Sequence, residues 1–251
     1  MSDGGPTDPK TLVIVPTYNE RESLPVAVAA IAEHCPGVDV LVVDDNSPDG
    51  TGQLADDLAR HDSRVSVLHR PGKQGLGVAY IAGFQEALNR GYELIVEMDA
   101  DGSHRAADLK ILLEVATGSP DVGLVLGSRW VRGGTVVNWP VHRLLLSRGG
   151  NLYTRMMLRL PVADATGGFR VFRAQTLRQL DLSSIQSAGY CFQVDMTRRV
   201  HKAGIRIREV PITFVERALG YSKMSNSIVR EALWRVTVWG FQDLMAAVTR
   251  H

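Results

Sequence analysis

The sequence predicts an α/β fold in which a mostly parallel β-sheet is flanked by helices. The first observation is that short apolar runs rich in β-branched residues alternate with segments of helical periodicity. The second is that these runs are apolar throughout, which is typical of strands buried on both faces of a parallel sheet. The third is that polar clusters follow three of the runs, at residues 16–20, 44–49 and 99–104. Ligands bind beyond the carboxyl ends of such strands, so we expect a site where these clusters meet.

The first half of the chain alternates regularly between strands and helices. The predicted strands are Thr11–Val15, Val38–Val43, Val65–His69, Leu94–Met98 and Val122–Gly127. The predicted helices between them are Ser23–Ala32, Thr51–Arg60, Gly77–Asn89 and Ala106–Val115. We expect Pro16 to end the first strand, and the alternation implies right-handed crossovers between parallel strands.

The regular alternation ends after residue 127. Ser128 begins a long loop that contains Gly133-Gly134 and Trp139-Pro140, and a helix is predicted from about Val141 to Leu160. Further on, the pattern predicts a turn and short strand (Gly167–Arg173), helices near Gln175–Leu180 and Phe192–Ala203, a strand (Ile207–Val215) and a last helix (Ser227–Val248).

The last helix carries two apolar stripes. Ile228, Ala232, Val236 and Trp239 form one stripe, and Trp234, Val238, Phe241 and Met245 form the other. One stripe packs on the core, as in any amphipathic helix. The second favours a membrane interface or a partner protein, unless the helix is sandwiched within the domain. We therefore divide the chain into a flexible tail (1–10), a folded domain (11–225) and an amphipathic C-terminal helix (226–251).

Composition and charge limit the classes of partner and compartment. The chain has 251 residues, of which 45% are hydrophobic and 22% charged, as in a soluble globular protein. A net charge of +1 gives no support for nonspecific polyanion binding, so nucleic acid is not expected as a partner. The two cysteines, the lack of a signal-like N-terminus and the lack of an apolar run of about 18 residues predict a cytoplasmic protein that does not cross a bilayer by itself.

The most informative polar cluster is Asp99-Ala100-Asp101, which follows the fourth apolar run and precedes Gly102-Ser103-His104. A carboxylate at the end of a buried strand needs water, a hydrogen-bond donor or a cation to offset its desolvation. Two such carboxylates point to a divalent metal, whereas the alternative is that Asp99 ends the strand and Asp101 caps the next helix. Familiar phosphate motifs fit poorly, because residues 72–77 lack the Lys-Ser/Thr of a P-loop and residues 16–20 lack the glycines of a dinucleotide site.

Several motifs in order along the chain resemble the inverting family-2 glycosyltransferases of the GT-A fold. They are Val15–Glu20, Val42–Gly50, Gly75–Gly77, Met98–His104 and Gly127–Arg129. Later motifs are similar to the branch of dolichol-phosphate and polyprenol-phosphate mannose synthases: Gly133-Gly134, Trp139-Pro140, Leu146–Asn151, Thr166–Arg170 and Arg217–Lys223. The resemblance covers about residues 11 to 225 and implies a GT-A domain with a Rossmann-like, mostly parallel sheet.

The resemblance implies that a nucleotide sugar, usually GDP-mannose, gives its sugar with inversion to the phosphate of a membrane polyprenol. The residues implied to bind this donor are Pro16, Tyr18, Glu20, Val42, Asp44 and Ala100. Mg²⁺ or Mn²⁺ held by Asp101, with Asp99 nearby, would act as a Lewis acid on the diphosphate leaving group. Some family members have glutamine where Ser103 stands, so we expect Ser103 to ligate weakly or through water.

The acceptor decides the second half of the mechanism. A phosphate monoester with a second pKa of about 6 is an anionic nucleophile near neutrality and needs no general base. It needs cations that hold two repelling phosphate groups in line. The first candidates are Arg129, Arg217 and Lys223, followed by Arg143 and Arg170. Asp195 stands where relatives with hydroxyl acceptors keep a catalytic acid and is assigned a structural or orienting role, and His104 is expected at a helix start.

Two alternatives remain open on the sequence alone. A polyprenyl-phosphate glucosyltransferase that uses UDP-glucose would have the same fold, and a nucleotide-sugar-binding regulatory module would bind without turnover. The complete set of carboxylates and cations argues against the module. A lipid acceptor implies a peripheral protein at the cytoplasmic membrane face. We assign the anchoring to the second stripe of the last helix, aided by the Arg148, Arg155 and Arg159 face, at the bilayer or at a membrane-embedded partner.

Overall fold

Seven strands form the central sheet of this computed structural model, which describes residues 8–185, 190–216 and 226–248. The strands in chain order are β1 (Thr11–Thr17), β2 (Asp39–Asp44), β3 (Val65–His69), β4 (Leu94–Glu97), β5 (Val122–Ser128), β6 (Thr135–Val137), β7 (Arg170–Arg173), β8 (Arg206–Pro211) and β9 (Thr213–Val215). The helices are α1 (Leu24–His34), α2 (Thr51–His61), α3 (Leu76–Asn89), α4 (Ala106–Gly118), α5 (Val141–Leu158), α6 (Ala174–Gln179), α7 (Tyr190–Lys202) and α8 (Asn226–Val248), with a 3₁₀ turn at Leu182–Ser184.

The order of strands in the sheet is β3-β2-β1-β4-β7-β5-β8, and only β7 runs antiparallel to its neighbours. This confirms the predicted α/β fold with a mostly parallel sheet. The inverted strand matters for the site, because the register pairs Arg170 at the start of β7 with Glu97 at the end of β4. The turn that precedes β7 therefore lies beside the carboxyl end of β4.

The two faces of the sheet are covered by separate apolar clusters. Alternate residues of β1 face opposite sides, with Leu12 and Ile14 in one cluster and Val13 and Val15 in the other. Helix α3 packs directly on the first of these faces, because a Cβ at Gly83 would stand 2.7 Å from an Ile14 methyl group. Both faces of β1 are therefore buried, as its uninterrupted apolar sequence predicts.

Strand β1 continues past Pro16 to Thr17, although Pro16 was expected to end it. The neighbour β4 pairs with β1 only as far as Ile14, and the backbone of Pro16 points to that same side. Pro16 has no N–H to donate, and none is needed there, because its nitrogen lies beyond the end of β4. On the other side, the pairing with β2 extends to Thr17 and Asp44.

A small second sheet joins β6 to β9 and was not predicted. The strand expected at Ile207–Val215 is divided, because β8 ends at Pro211 and β9 begins at Thr213. Proline has no N–H to continue the ladder of β8, and the chain leaves the central sheet there. Strand β9 then pairs in parallel with β6 from the loop after β5, and this pairing brings Phe214 beside His104.

Helix α8 presents one face to the protein and another to solvent. Val236 is buried and Trp239 packs against the core, whereas Trp234, Phe241 and Met245 are exposed. The side chain of Ile228 lies outside the described part. Among the described helices, none combines the length and apolar character that a bilayer crossing requires.

Candidate active site

The predicted polar clusters lie at the carboxyl ends of three adjacent strands, β2, β1 and β4. The cluster at the end of β1 contains Pro16 within the strand and Tyr18 and Glu20 beyond it, and all three are partly exposed. The cluster at the end of β2 begins with Asp44, the last residue of that strand, and the cluster after β4 contains Asp99 and Asp101. The structure therefore brings together the residues that the sequence assigns to the donor and the metal.

Asp44 is held in a defined orientation at the nucleoside end of this edge. Its Oδ1 accepts hydrogen bonds from Thr17 Oγ1 at 3.0 Å and Ser47 Oγ at 2.6 Å, and its Oδ2 accepts one from the Ser47 N–H at 3.1 Å. Helix α2 begins against it, since a Cβ at Gly52 would lie 2.9 Å from Oδ2. The carboxylate is therefore fixed by its neighbours before any ligand binds.

The glycine-rich loop at residues 72–75 borders the same end of the edge. Lys73 Nζ lies 4.2 Å from the centre of the Tyr18 ring, a cation–π contact at an exposed position. Below the loop, Arg70 forms a buried ion pair with Asp45 and donates to Gln74 Oε1 at 2.8 Å. Burial raises the pKa of Asp45 in spite of the Arg70 charge. The loop is thus tied to β2 and β3 through Arg70.

Two residues predicted to bind the donor have buried side chains. Val42 is fully buried in the middle of β2, and Ala100 is 3% exposed; both belong to the apolar cluster on one face of the sheet. This burial leaves their backbone atoms as the groups that could face a nucleotide, and their assignment to donor binding stays a prediction. A single apolar residue within a motif does not reveal whether it lines the pocket or supports it from below.

The acidic loop after β4 forms a compact turn. Asp101 Oδ1 accepts the Ser103 N–H at 3.0 Å, and Gly102 has a φ of 75° that favours glycine. Asp99 Oδ1 accepts a hydrogen bond of 3.3 Å from the Tyr80 hydroxyl on α3. Burial, followed by the Asp99 charge, raises the pKa of Tyr80 well above its ordinary value, so the hydroxyl remains a donor.

The oxygen atoms of this loop fit a hard divalent cation. Asp99, Asp101 and Ser103 offer only oxygen ligands, and Ser103 Oγ is a buried atom with no hydrogen-bond partner among the described residues. Within the described ranges, no group of three or more His, Cys, Asp and Glu side chains is arranged to hold a metal by itself. Mg²⁺ is commonly bound through one or two carboxylates, with substrate phosphates and water completing its shell, and this loop suits that mode.

His104 supports the loop from within. It is buried between aromatic rings, stacked on Phe169 with centroids 4.8 Å apart and edge-on to Phe214 at 5.6 Å. Its Nδ1 accepts the Asp99 N–H at 3.1 Å, and burial lowers the pKa of the imidazole. Helix α4 begins at Ala106, so His104 precedes the helix and fixes the backbone of the acidic loop.

Arg129, at the end of β5, is buried and engaged by Asp164. The guanidinium donates from Nε and Nη2 to the two Asp164 oxygens, each at 2.7 Å, and Nη2 also donates to Thr166 Oγ1 at 2.9 Å. Burial alone would raise the pKa of Asp164, but the charge and hydrogen bonds of Arg129 hold it below its ordinary value. This fork fixes Arg129 relative to the turn that precedes β7.

An aromatic cluster surrounds the Arg129 guanidinium. Trp130, Trp139 and Phe214 each have ring centroids about 5.5 Å from the Arg129 Cζ. Arg143 stacks on Trp139 at 4.2 Å and forms an ion pair with Glu216. Trp130 Nε1, Trp139 Nε1 and Arg143 Nε are buried donors that have no acceptor among the residues described. Three N–H groups without acceptors are suited to bind an anion such as a phosphate.

Arg170 was predicted to contact a phosphate, but its side chain is enclosed by other parts of the protein. It is completely buried and donates to the carbonyl oxygens of Gly167, Gln193 and Ala165, at 2.7 to 2.9 Å. Its Nε lies 3.8 Å from the buried Glu97 carboxylate. Burial lowers the pKa of Arg170 to about 10 and raises that of Glu97 to about 7. The burial corrects the expected phosphate contact, and Arg170 instead braces β4, α7 and the turn before β7.

Arg217 and Lys223, the remaining predicted cations, lie outside the described residues. Asp195 is buried on α7 and accepts a hydrogen bond of 2.9 Å from Arg199 Nε, one turn further along the helix. This contact agrees with a structural role for Asp195.

The sequence did not single out several residues that build the site. Asp164, Trp130, Phe214 and Tyr80 are the main examples. Asp164 precedes the Thr166–Arg170 motif and Trp130 follows Gly127–Arg129, so their nearness to motifs was a usable signal. Phe214 lies in a segment for which the sequence predicts only a strand.

Comparison with known proteins places the chain among glycosyltransferases. The family model for Glycosyl transferase family 2 matches residues 12–181. The chain is 53% identical over 234 residues to polyprenol monophosphomannose synthase of Mycolicibacterium smegmatis, covering 93% of this chain and 88% of the relative. It is 57% identical over 231 residues to undecaprenyl-phosphate mannosyltransferase of Micrococcus luteus, covering 92% of this chain and 94% of the relative.

Solved structures show the same fold at low sequence identity. A mannosyltransferase from Pyrobaculum calidifontis, in complex with GDP-Man and Mn²⁺, matches with a TM-score of 0.60 at 20% identity, over 96% of this chain and 65% of that chain. Glucosyl-3-phosphoglycerate synthase from Mycobacterium tuberculosis, in complex with Mn²⁺, UDP-glucose and phosphoglyceric acid, matches with a TM-score of 0.68 at 17% identity, over 92% of this chain and 79% of that chain.

Proposed function

The chain belongs to glycosyl transferase family 2, and we propose that it transfers mannose from GDP-mannose to the phosphate of a membrane polyprenyl phosphate, with inversion at the anomeric carbon. The product is a polyprenyl phosphate mannose. This activity agrees with the names of two relatives that are more than half identical to the chain and are covered almost completely. The runner-up, glucose transfer from UDP-glucose, agrees with the name of neither relative.

The donor binds along the carboxyl ends of β2, β1 and β4. Tyr18, Glu20 and Asp44 stand at the nucleoside end, and the Asp99–Ser103 loop stands at the diphosphate end. A divalent metal, Mg²⁺ or Mn²⁺, supplies Lewis-acid stabilisation of the leaving diphosphate when it is bound. Asp101 and Asp99 would hold the metal through their carboxylates, and Ser103 Oγ, which is buried without a hydrogen-bond partner among the described residues, would be available beside them. Tyr80 and His104 keep the loop in place.

The acceptor phosphate attacks the anomeric carbon directly. One phosphate oxygen forms the new bond to carbon, the bond from that carbon to the diphosphate oxygen breaks, and GDP leaves with the electron pair. No proton needs removal from the nucleophile, because a phosphate monoester with a second pKa of about 6 is largely a dianion at neutral pH. Asp195 therefore has no base function in this reaction.

The single observation that carries the acceptor assignment is the set of buried donors near Arg129. Trp130 Nε1, Trp139 Nε1 and Arg143 Nε have no acceptor in the described part of the chain. Burying three unsatisfied N–H groups is costly unless a ligand accepts from them. A phosphate satisfies several donors at once, and Arg129, Arg143, Arg217 and Lys223 supply the positive charge that offsets the repulsion between acceptor and donor phosphates. The protein acts peripherally at the cytoplasmic face of the membrane, where such an acceptor is found.

A competition assay tests the reaction. Purified protein is incubated with equal concentrations of GDP-mannose and UDP-glucose, a short-chain polyprenyl phosphate and Mg²⁺ or Mn²⁺, and the lipid products are identified by mass spectrometry. We expect mannosyl product alone. Product formed only from UDP-glucose would overturn the mannose assignment, and binding of GDP-mannose without any product would favour a regulatory module.

A further inference from the structure

Four polar side-chain atoms are buried without a hydrogen-bond partner beside the acidic loop. They are the two amide atoms of Gln193 on α7 and the two carboxyl oxygens of Glu97 at the end of β4, and their lack of partners holds for the described residues. Burial raises the pKa of Glu97 to about 7, and the Arg170 charge and the neighbouring Gln193 amide oppose this rise. The amide therefore lies beside Glu97 without completing a hydrogen bond to it. A buried amide of this kind is costly unless water or a ligand satisfies it.

Gln193 is held firmly in this position. Its side chain is 2% exposed, and its backbone carbonyl oxygen accepts a hydrogen bond of 2.9 Å from Arg170 Nη1. The preceding residue, Phe192, stacks on Tyr80 with ring centroids 6.1 Å apart, and the Tyr80 hydroxyl donates to Asp99 Oδ1. Helix α7 is thereby tied to the acidic loop, and the Gln193 amide is oriented before any ligand binds.

Gly168, in the turn before β7, leaves a space in front of this amide. A Cβ at Gly168 would lie 3.7 Å from Gln193 Nε2 and 3.9 Å from Asp99 Oδ2, and no atom outside the neighbouring residues would be closer than 3.7 Å. The adjacent Gly167 differs, because its Cβ would stand 3.0 Å from a carbonyl oxygen of β5. We call the space at Gly168 the Gly168 recess. It is bordered by an amide that can donate and a carboxylate that can accept.

The Gly168 recess lies where the proposed reaction places the sugar. The turn before β7 runs from Asp164, which holds Arg129, to Gly168 beside Asp99. In the proposed reaction the diphosphate lies at the acidic loop and the acceptor phosphate lies near Arg129. The sugar between them therefore lies along this turn. A sugar hydroxyl accepts from an amide N–H and donates to a carboxylate at the same time, which is the combination that the recess offers.

We propose that Gln193 is a specificity-determining residue that donates a hydrogen bond to one hydroxyl of the donor sugar in the Gly168 recess, while Asp99 Oδ2 accepts from that hydroxyl. This inference rests on the proposed function, because its occupant is the sugar of the nucleotide sugar. Gln193 lies beyond residues 12–181, which the family model matches, so membership of the family does not imply this contact. A buried group that hydrogen-bonds a substrate hydroxyl rejects an analogue that lacks it.

Calorimetry with analogues of the donor tests the proposal. The dissociation constants of GDP-mannose, and of analogues that each lack one hydroxyl of the sugar, are measured with Mn²⁺ for wild type and Gln193→Met. We expect wild type to bind one analogue about tenfold more weakly than GDP-mannose or worse, and Gln193→Met to bind the two within about threefold of each other. Gln175→Met is the matched control, because Gln175 is exposed on α6, and it should keep the wild-type difference.

A second variant fills the Gly168 recess. Gly168→Ala meets no steric obstacle in the protein itself, but its methyl group occupies the space assigned to the hydroxyl. We expect it to bind GDP-mannose about tenfold more weakly, or worse, and to bind GDP as wild type does, because GDP lacks the sugar. Gly118→Ala, at the end of α4, is the control, since its Cβ would meet no atom within 4 Å. Thermal unfolding shows that each variant is folded.

Three outcomes would overturn the proposal. The first is an unchanged difference between GDP-mannose and every analogue in Gln193→Met. The second is an equal loss of affinity for GDP and GDP-mannose in that variant, which would assign Gln193 to the support of the metal loop. The third is wild-type binding of GDP-mannose by Gly168→Ala. Mannose transfer by wild type is measured separately: its absence, with the expected binding differences, would count against the proposed function alone.

Discussion

At the scale of single residues, Asp101 is the most direct test of the metal site. Its carboxylate orders the turn through Ser103 and is the predicted metal ligand. We expect Asp101→Asn to lower the rate of mannose transfer by about 100-fold or more, because the amide keeps the shape of the side chain but loses the charge that binds the cation. Initial rates with a short-chain acceptor at several Mn²⁺ concentrations measure the effect.

The control for Asp101 is an aspartate on the surface. Asp121→Asn removes an exposed carboxylate that pairs only with the exposed Arg206 among its described salt-bridge partners, and we expect little change in rate. Thermal unfolding of both variants establishes that they are folded. Wild-type turnover by Asp101→Asn would refute the ligand role.

Glu97 and Arg170 form the buried charge pair beneath the site, and both side chains are fully inaccessible to solvent. Removing Arg170 takes away the charge that favours the ionised form of Glu97, and removing Glu97 leaves the Arg170 charge with only its carbonyl partners, so each change costs about 3 kcal/mol. We expect Arg170→Met and Glu97→Gln each to destabilise the fold, and the double variant to be more stable than the sum of the single effects predicts, by about 1 kcal/mol or more. Urea unfolding of the four proteins measures the coupling, and additive effects would show that the 3.8 Å separation is too wide for a functional pair.

Arg170 also illustrates what the sequence does not reveal about single residues. Arg129, Arg143 and Arg170 all lie in or near motifs, yet Arg143 retains a donor without an acceptor among the described residues, while Arg170 is enclosed by three carbonyl oxygens. The difference depends on the inverted strand β7, whose first residue is Arg170. A motif gives the residue type, but the direction of the side chain depends on contacts with distant segments.

At the scale of secondary structure, elements with a strong periodic signal were predicted well. Strands β2 and β5 and helices α2 and α4 lie within a few residues of their predicted ranges, because apolar runs and helical stripes are local signals. Strands β6 and β9 have three residues each and little burial, so the sequence alone carries no clear pattern for them. Their parallel pairing is nonlocal, and it is this pairing that places Phe214 in the site.

The contact between α5 and α8 gives a prediction at this scale. Gly240 allows α8 to approach the backbone of α5, because an added Cβ would lie 2.9 Å from Met157 O. We expect Gly240→Ala to lower the free energy of unfolding by about 1 to 2 kcal/mol, since a methyl group at that position must push the helices apart. Chemical denaturation measures the change.

A second glycine provides the matched control. Gly149 lies in α5, and a Cβ added there would meet no neighbouring atom within 4 Å, so Gly149→Ala encounters no steric obstacle. The lower backbone entropy of alanine in the unfolded chain should stabilise the protein by about 0.5 to 1 kcal/mol. Equal effects of the two substitutions would mean that the helix contact is loose.

At the scale of the whole molecule, the sequence predicts the convergence of the residues proposed to bind the donor, but not the convergence of those proposed to bind the acceptor. Asp44, Asp99 and Asp101 follow strands whose carboxyl ends must share one edge in a parallel sheet, so their convergence follows from topology. The acceptor half combines Arg129, Trp139 and Phe214 from three separate segments joined by the second sheet. No sequence pattern reports that sheet, and only the family resemblance pointed to the arginines.

The pH dependence of the reaction reports on the nucleophile. If the acceptor phosphate attacks without a general base, the rate of transfer rises with pH through about 6, where the monoester loses its second proton, and then levels off. We expect Asp195→Asn to keep this rise at the same pH, because Asp195 pairs with Arg199 within α7 rather than serving as the base. Loss of the rise in the variant would identify Asp195 as a base and contradict the proposed mechanism.

Membrane attachment and catalysis are coupled when the acceptor is embedded in a bilayer, and kinetics separates the two. We expect Leu145→Glu/Met156→Glu, which changes two exposed apolar residues of α5, to raise the KM for polyprenyl phosphate in anionic vesicles by about tenfold with little change in kcat, because fewer enzyme molecules reside on the surface. The same variant should have wild-type KM and kcat with a short-chain acceptor in solution.

Arg143→Ala provides the contrast. It removes a cation and a buried donor beside the proposed acceptor site, so transfer should fall with both acceptors. Loss of activity with the soluble acceptor in the α5 variant would mean that these exposed residues of α5 support the site itself, and not only its approach to the membrane.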